Sequence, residues 1–303
     1  MAHRPDYVRH RRRSSRSGRY AALAGVAVAA AALGAIVWGF SAALGVGDDD
    51  EPATTAATTT VPQKPVLKIV FPEGFTRDEM ARRIAAVNRI AKQKRKITPK
   101  LSPAAYRRAT RRGKLPDDFT DEKLPDLEGF LFPATYEFTE DTTSRALVRK
   151  QLDAFERAWA QVDLKYAKSK NLTAYEVLII ASMVEEEVQV PHERELVAAV
   201  IYNRLRVGLT LGIDATIRYG LDIPPTEPIH QSELESDTPY NTRKFLGLPP
   251  TPISNPGLAA IQAAAHPAQI DYLYFIRKPD CKSHFFTASE EEFFSFPRAG
   301  LSC

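Results

Sequence analysis

The stretch that decides the fold is LTAYEVLIIASMVEEEVQV, residues 172–190. Thr173 followed by Glu176 is the capping-box pattern that begins a helix, and the run VLIIASMV after it is apolar on almost every side. Three consecutive glutamates, residues 185–187, then end the helix. Burying a carboxylate costs free energy unless a partner offsets it. The stretch predicts a buried helix that ends in chemically active carboxylates; the alternative is a frayed end with three solvated acids.

The helical period separates these glutamates. The apolar stripe of the helix is formed by Val177, Ile180, Ala181 and Val184. At about 100° per residue, Glu186 lies opposite the stripe, whereas Glu185 and Glu187 lie on its two edges. A carboxyl group on an apolar edge has a raised pKa and can hold a proton near neutral pH. The pattern therefore makes Glu185 and Glu187 candidate acids and does not choose between them.

Toward the N-terminus, residues 20–46 read YAALAGVAVAAAALGAIVWGFSAALGV and contain no Asp, Glu, Lys, Arg or His. A helix of this length spans about 40 Å, more than the roughly 30 Å hydrocarbon core of a bilayer. Seven arginines precede the run within residues 1–19, and four acidic residues follow it at 48–51. By the positive-inside asymmetry, we predict a basic cytoplasmic tail at 1–19, a transmembrane helix at 20–46 and an extracytoplasmic remainder. A cleaved signal peptide is the alternative.

Two segments follow the apolar run. Small polar residues at 47–65, including ATTAATTT, predict a disordered linker. Residues 66–118 then form a small module, in which the strand pattern VLKIV precedes a helix begun by the capping box of Thr76 and Glu79. Between residues 92 and 114 this module has ten basic residues and no acidic one. Such a run is either a solvated face or a salt-sensitive contact surface for anionic wall polymers or lipid headgroups.

Residues 119–303 form a larger domain of mixed helices and strands. A helix over 192–207 ends at Gly208, another occupies 256–265, and strands at 272–276 and 284–288 pair. An α+β class follows. On the first of these helices, Asn203 shares a face with Leu196 and Val200. Its amide must find partners there, either in the backbone of a neighbouring loop or in a substrate.

Composition excludes several classes of protein. The net charge is +4, but residues 20–303 carry 34 basic and 36 acidic side chains, so the basic excess is not spread over a nucleic-acid-binding surface. The sequence has no H-E-x-x-H pair, no G-x-S-x-G elbow and no phosphate loop. We therefore expect no metal, no cofactor and no nucleic acid. The two cysteines, Cys281 and Cys303, exclude a multi-disulfide scaffold and either form one disulfide or stay free.

Five blocks of sequence carry a resemblance to a known family. They are LEGFLFPATYEF at 127–138, ASMVEEE at 181–187, ERELVAAVIYNRLRVGLTLGIDATIRYGL at 193–221, PYNT at 239–242, and GLPPTPISNPGLAAIQAAAHP with DYLYF within 247–275. In order and spacing they resemble the endolytic murein transglycosylase family, also called MltG-like or YceG-like, from about residue 72 to residue 286. One departure is LGIDAT at 211–216, where many relatives carry a glutamine and a proline.

The resemblance implies a lysozyme-like, transglycosylase-type α+β catalytic domain at 119–303, preceded by a reduced LysM-like β/α module at 66–118. It implies a lytic transglycosylase that cleaves nascent glycan strands between MurNAc and GlcNAc, leaves 1,6-anhydro-MurNAc ends and so terminates chain elongation. In the family's E-x-E motif the second glutamate is catalytic, and that position here is Glu187. The candidate substrate-binding residues are Asn203, Asp214, Thr216, Tyr240 and Asn241. Glu128 is a further candidate, with a structural role preferred.

The resemblance also implies partners and a location. The partners are peptidoglycan glycan strands, the cell membrane through residues 20–46, and peptidoglycan synthases. The protein would be single-pass in the cell membrane, with the N-terminus cytoplasmic and the catalytic domain extracytoplasmic. A different class stays open, namely a non-catalytic peptidoglycan-binding or scaffold protein that uses the same groove. Retention of the E-x-E pattern favours the enzyme.

Overall fold

A computed structural model describes residues 64–120 and 122–297. The predicted tail, the predicted transmembrane helix and the linker up to residue 63 lie outside the described residues. Cys303 does so too, and with it the choice between a disulfide to Cys281 and free thiols. Within the described ranges, none of the helices has the length and apolar character needed to cross a bilayer.

Helices and two small sheets make up the described residues, which confirms the α+β class. The helices are α1 (Arg77–Arg95), α2 (Pro103–Ala109), α3 (Ser144–Trp159), α4 (Lys165–Ser169), α5 (Ala174–Glu187), α6 (Arg194–Val207), α7 (Asp214–Leu221), α8 (Gln231–Leu234), α9 (Leu258–Ala265) and α10 (Glu290–Ser295). The strands are β1 (Leu67–Val70), β2 (Thr135–Phe138), β3 (Tyr274–Arg277) and β4 (His284–Thr287). Single 3-10 turns occupy Asp117–Phe119 and Pro191–Glu193.

Helix α5 lies at the centre of the core, as predicted. The Thr173 hydroxyl accepts a hydrogen bond from the Glu176 N–H at 3.2 Å, and the Glu176 carboxylate accepts one from the Thr173 N–H at 2.7 Å. Every residue from 177 to 184 is buried, and the helix packs against α6 and α9. Full burial of each large apolar side chain contributes roughly 1.5–3 kcal/mol. The capping box fixes where this helix begins, and its apolar faces fix where it lies.

The two sheets are antiparallel pairs. β3 and β4 place Tyr274 opposite Thr287, which confirms the predicted strand pair near the C-terminus. β1 pairs with β2, and Leu67 lies opposite Phe138. The first strand of the predicted 66–118 module therefore pairs with a strand from beyond residue 118.

Residues on both sides of position 118 share one hydrophobic core. Tyr106 of α2 is buried and its hydroxyl donates to Gln151 Oε1 of α3 at 2.7 Å. The Phe71 ring lies 6.1 Å from that of Tyr136, centroid to centroid. All described residues belong to one compact unit. The domain boundary at 118 stays a prediction.

Helix α9 begins at Leu258, two residues later than predicted. Asn255 does not cap this helix, because its backbone N–H and its side-chain amide form hydrogen bonds with other parts of the molecule. Its N–H donates to the Phe75 carbonyl at 3.1 Å, and its side-chain amide donates to Glu128 at 2.7 Å. Gly257 takes the N-cap position instead.

Candidate active site

The three glutamates at the end of α5 contact different parts of the molecule. Glu185 accepts a hydrogen bond from the Gly257 N–H at 3.0 Å, at the start of α9. Glu186 reaches Gly74, where an added Cβ would lie only 3.0 Å from its Oε1. Glu187 is the last residue of α5 and interacts electrostatically with Asp214, Arg243 and Arg277. The structure thus distinguishes the surroundings of Glu185 from those of Glu187, whereas the helical period left the choice between them open.

The helix keeps its hydrogen bonding to its end. The Val188 N–H donates to the Val184 carbonyl at 3.1 Å, and Val188 itself is buried. Glu187 is partly buried, whereas Glu186 is exposed. The alternative of a frayed end with three solvated acids therefore does not describe this helix.

Two loops come together opposite Glu187. The Thr242 carbonyl accepts from the Gly212 N–H at 2.8 Å, and the Thr242 hydroxyl accepts from the Ile213 N–H at 3.0 Å. This junction fixes the start of α7, where Asp214 is the first residue, against the loop that carries Arg243. Arg243 Nε donates to Asp214 Oδ1 at 2.5 Å. A half-exposed ion pair therefore stands beside Glu187.

Opposing influences set the proton affinity of Glu187. Burial raises the pKa of its carboxyl to about 7, because the charged form loses hydration there. The positive charge of Arg277, at the end of β3, lowers this pKa; Asp214 raises it and Arg243 lowers it. Burial dominates, so a substantial fraction of Glu187 is protonated at neutral pH. That is the protonation state that a general acid needs.

The pKa of Glu185 is also raised, chiefly by burial and against the hydrogen bond from Gly257. Desolvation raises the pKa of Glu186 to about 8, although the hydrogen bond with the Ser254 hydroxyl lowers it. Glu185 is tied to α9, and Glu186 keeps much of its surface in water. Among the three, Glu187 combines partial burial with a cluster of charged neighbours on separate elements.

The predicted substrate residue Asn203 bonds to a neighbouring loop. Its side-chain amide donates to the carbonyls of Ile270 at 2.8 Å and Tyr272 at 3.0 Å. One of the two interpretations of Asn203 from the sequence was that its amide bonds to the backbone of a neighbouring loop, and these bonds agree with it. Contact between Asn203 and a substrate stays a prediction.

Thr216 and Asn241 form part of the frame of the site. Both are fully buried. The Thr216 hydroxyl bonds the Ile213 carbonyl at 2.7 Å, and the Asn241 amide donates to the carbonyls of Leu234 and Ser236 at 2.9 and 2.8 Å. In this conformation they hold the two loops that carry Asp214 and Arg243, and their contact with substrate stays a prediction.

Tyr240 is half-buried, and its hydroxyl lies 2.8 Å from that of Thr251. Its ring meets the Tyr219 ring edge-on, with centroids 5.2 Å apart. Substrate contact by Tyr240, like that by Asp214, stays a prediction. Of the five substrate candidates, Asp214 is the one that interacts directly with Glu187.

Glu128 is a buried carboxyl that joins three elements. It accepts hydrogen bonds from the Arg77 N–H at 3.0 Å, the Asn255 amide at 2.7 Å and the Tyr219 hydroxyl at 3.2 Å. Burial raises its pKa to about 8, although the Arg77 N–H and charge oppose the shift. These contacts agree with the structural role preferred from the sequence.

The sequence analysis missed Arg243 and Arg277. Arg243 follows PYNT directly, and Arg277 lies two residues after DYLYF, so both border blocks that were already singled out. Their positive charge, directly beside these two blocks, was the signal available in the sequence. Among the described residues, no cluster of three or more His, Cys, Asp or Glu side chains could hold a metal.

A cavity of about 620 Å³ elsewhere in the molecule is lined by Pro191, His192, Glu195, Gln262 and His266, among others. None of the three glutamates lines it. We place the candidate site at Glu187 because the charged groups converge there.

Comparison with known proteins agrees with the resemblance. Endolytic murein transglycosylase of Bacillus subtilis (strain 168) is 32% identical over 218 residues, which cover 70% of this chain and 59% of that protein. The protein of that name from Streptococcus pneumoniae (strain ATCC BAA-255 / R6) is 34% identical over 235 residues, covering 72% and 42%. The chain thus spans about half the length of these relatives.

A solved structure is also similar. The crystal structure of a yceG-like protein from Listeria monocytogenes matches with a TM-score of 0.62 and 30% identity, covering 74% of each chain. A model of the YceG-like family matches residues 49–295. The chain therefore belongs to the YceG-like family.

Proposed function

We propose that the chain is an endolytic lytic transglycosylase of peptidoglycan, with Glu187 as its catalytic acid. It would cleave nascent strands between MurNAc and GlcNAc and leave 1,6-anhydro-MurNAc ends, which terminates elongation. The names of the relatives support the reaction class. The observation that carries the assignment to a residue is the position of Glu187, which is partly buried at the end of α5 among charged groups from three other elements; its pKa is raised to about 7.

One carboxyl group is enough for this reaction. Most glycosidases use two, because one protonates the leaving oxygen and the other supplies or activates the nucleophile. Here the C6 hydroxyl of the MurNAc unit would be the nucleophile. Glu187 would give its proton to the glycosidic oxygen as the bond to C1 breaks. The C6 oxygen would then bond to C1, and its proton would return to the Glu187 carboxylate.

The charged neighbours fit both halves of this cycle. Burial keeps the proton on Glu187 before cleavage, and Arg277 and Arg243 stabilise the carboxylate that forms after it. Asp214 holds Arg243 through their ion pair, so it would act as a positioning residue. A group with a pKa near the working pH can both give and take a proton efficiently.

We also propose that residues 20–46 anchor the protein in the cell membrane as a single-pass helix, with a cytoplasmic N-terminus and an extracytoplasmic catalytic domain. The arginines before this apolar run and the acidic residues after it support that orientation. A linker at 47–65 would let the catalytic part reach the wall. Residues 66–118 would act as a reduced LysM-like module, and peptidoglycan synthases would be partners.

The test is product analysis with matched variants of the full chain. Purified sacculi would be incubated with the parent protein, Glu187→Gln and Glu186→Gln, and released muropeptides identified by mass spectrometry. We expect Glu187→Gln to lose about 100-fold or more of the anhydro-ended product, since general acid catalysis contributes about that much. Glu186→Gln, an adjacent substitution of the same kind, should stay active.

Two results would contradict the proposal. Anhydro-ended products formed by Glu187→Gln at the parent rate would reject the residue assignment. A parent protein that binds glycan strands without releasing any product would favour the non-catalytic scaffold instead.

A further inference from the structure

A cleft of about 740 Å³ lies between α3 and the segment that follows α2. The segment over residues 108–114 forms one wall, and the exposed face of α3 forms the other. Its cationic lining residues are Arg108, Arg111, Arg112, Lys114, Arg145 and Arg149. Asp153 is the one acidic residue in the lining. The basic run found in the sequence is thus joined by two arginines from a helix about thirty residues further along the chain.

Among residues 64–120 and 122–297, none of these six cationic side chains forms an ion pair of 4 Å or less or donates a side-chain hydrogen bond. Nearby arginines differ, since Arg77 is paired with Asp126 and Arg107 with Asp78. Like charges gathered on one cleft repel each other and raise the local positive potential. An anion bound there would relieve that repulsion.

The cleft is built by close packing of its two walls. Gly113 approaches α3 so closely that a Cβ would lie 2.4 Å from Leu152 Cδ1. Leu152 and Val148 are buried and line the cleft, so the charges stand over an apolar floor. Low-dielectric walls beneath charges of one sign focus the field on the space between them. This shape distinguishes the cleft from a flat solvated face.

We propose that this cleft binds a phosphate-bearing ligand. Five of the six cations are arginines, whose planar guanidinium groups bond two oxygens of one phosphate at once. Several arginines in one cleft also exceed what a single carboxylate or a single phosphate diester would neutralise, which favours a pyrophosphate or several phosphate groups together. The ligand supplies this chemistry either as a lipid headgroup or as a soluble phosphate compound. The inference does not depend on the reaction at Glu187.

The experiment measures binding to the full chain in detergent, with inorganic pyrophosphate by calorimetry and with phosphatidylglycerol-containing vesicles by co-sedimentation. The test variant is Arg112→Gln/Arg149→Gln, which removes one charge from each wall. The matched control is Lys94→Gln/Arg95→Gln, which removes two exposed charges from the same basic run but outside the cleft. Phosphatidylcholine vesicles correct for binding through apolar segments.

We expect the cleft variant to weaken binding about tenfold or more and the control to weaken it less than about twofold, with both effects reduced by salt. Cleft-dependent pyrophosphate binding supports a soluble ligand. Cleft-dependent binding to phosphatidylglycerol vesicles alone supports a lipid headgroup. Absence of binding to both probes, or equal losses in the two variants, overturns the proposal. Circular dichroism of both variants shows that a loss of binding is not a loss of fold.

Discussion

Burial favours the protonated form of Glu187, whereas the positive charges of two arginines favour its carboxylate form. Burial raises its pKa to about 7, and Arg277 and Arg243 limit the rise. Asp214 acts in two ways, because its charge repels the Glu187 carboxylate and its ion pair partly neutralises Arg243. The pKa of one side chain therefore depends on three elements: the start of α7, the loop after Tyr240 and the end of β3.

Substitution of these neighbours should move the pH dependence of the reaction in opposite directions. Glu187 must be protonated to donate, so the rate falls as the pH rises through its pKa. Asp214→Asn removes a charge that raises this pKa, so the alkaline fall should move to lower pH. Arg277→Gln removes a charge that lowers it, so the fall should move to higher pH. The measurement is the rate of anhydro-product release from about pH 5 to about pH 9.

Lys94→Gln, an exposed substitution in α1, is the control and should leave the profile where it is. Shifts of the same sign in Asp214→Asn and Arg277→Gln would show that Glu187 is not the group that titrates.

At the scale of the elements, one loop holds the end of α5 in place. The Ser182 hydroxyl of α5 accepts a hydrogen bond from the Ile253 N–H at 3.0 Å. Two residues later, the Asn255 side chain accepts from the Leu131 N–H at 2.8 Å and donates to Glu128 at 2.7 Å. Gly129 makes room for this loop, because a Cβ there would lie 2.7 Å from Pro252 Cγ. Glu128 is therefore an anchor for the helix that carries Glu187, the proposed catalytic acid.

Glu128→Ala should lower the free energy of unfolding by about 2–4 kcal/mol, because it leaves a cavity and buried N–H donors without partners. Glu128→Gln keeps the shape and one acceptor oxygen and should cost less. Urea denaturation measures both.

The pH dependence gives a second readout. The pKa of Glu128 is raised from its ordinary 4.5 to about 8 in the folded state. Ionisation of Glu128 therefore lowers stability as the pH rises from about 4.5 to about 8. Glu128→Gln cannot ionise, so its stability should fall less over that window. A Glu128→Ala variant as stable as the parent would contradict the anchoring role.

Local patterns predict local structure here. The capping box of Thr173, the apolar run after it and the stop at Gly208 all follow from neighbouring residues, so α5 and α6 are close to where the sequence places them. The choice among the three glutamates depends on contacts with residues about 30 to 110 positions away, and the helical period contains no information about those contacts. The late start of α9 also depends on distant contacts, because Asn255 bonds to partners more than a hundred residues earlier in the chain.

At the scale of the molecule, the first strand and first helices belong to the same core as α5. β1 pairs with β2, about 70 residues later in the chain, and Tyr106 of α2 packs against α3. No local pattern identifies a partner at that distance for a four-residue strand. The described residues should therefore unfold together, even if residues 66–118 have a binding role of their own.

The variant Phe119→Ala tests whether the described residues unfold together. Removal of a buried phenylalanine costs about 3–5 kcal/mol. If the core is shared, hydrogen-exchange protection should fall in both α1 and α5 by similar amounts. Ile90→Ala, at a side chain of α1 that is 58% exposed, should change neither. Loss of protection in α5 with α1 unchanged would mean that the 66–118 segment folds as a separate domain.

A carboxyl titration measures whether Glu187 carries a proton at neutral pH. The full chain would be labelled with ¹³C at the glutamate carboxyl carbon and titrated by NMR, with the Glu187 signal assigned by its absence in Glu187→Gln. We predict a pKa of about 7 for Glu187. A value near its ordinary 4.5 would contradict the account, because the side chain would then be ionised at working pH and would have no proton to give.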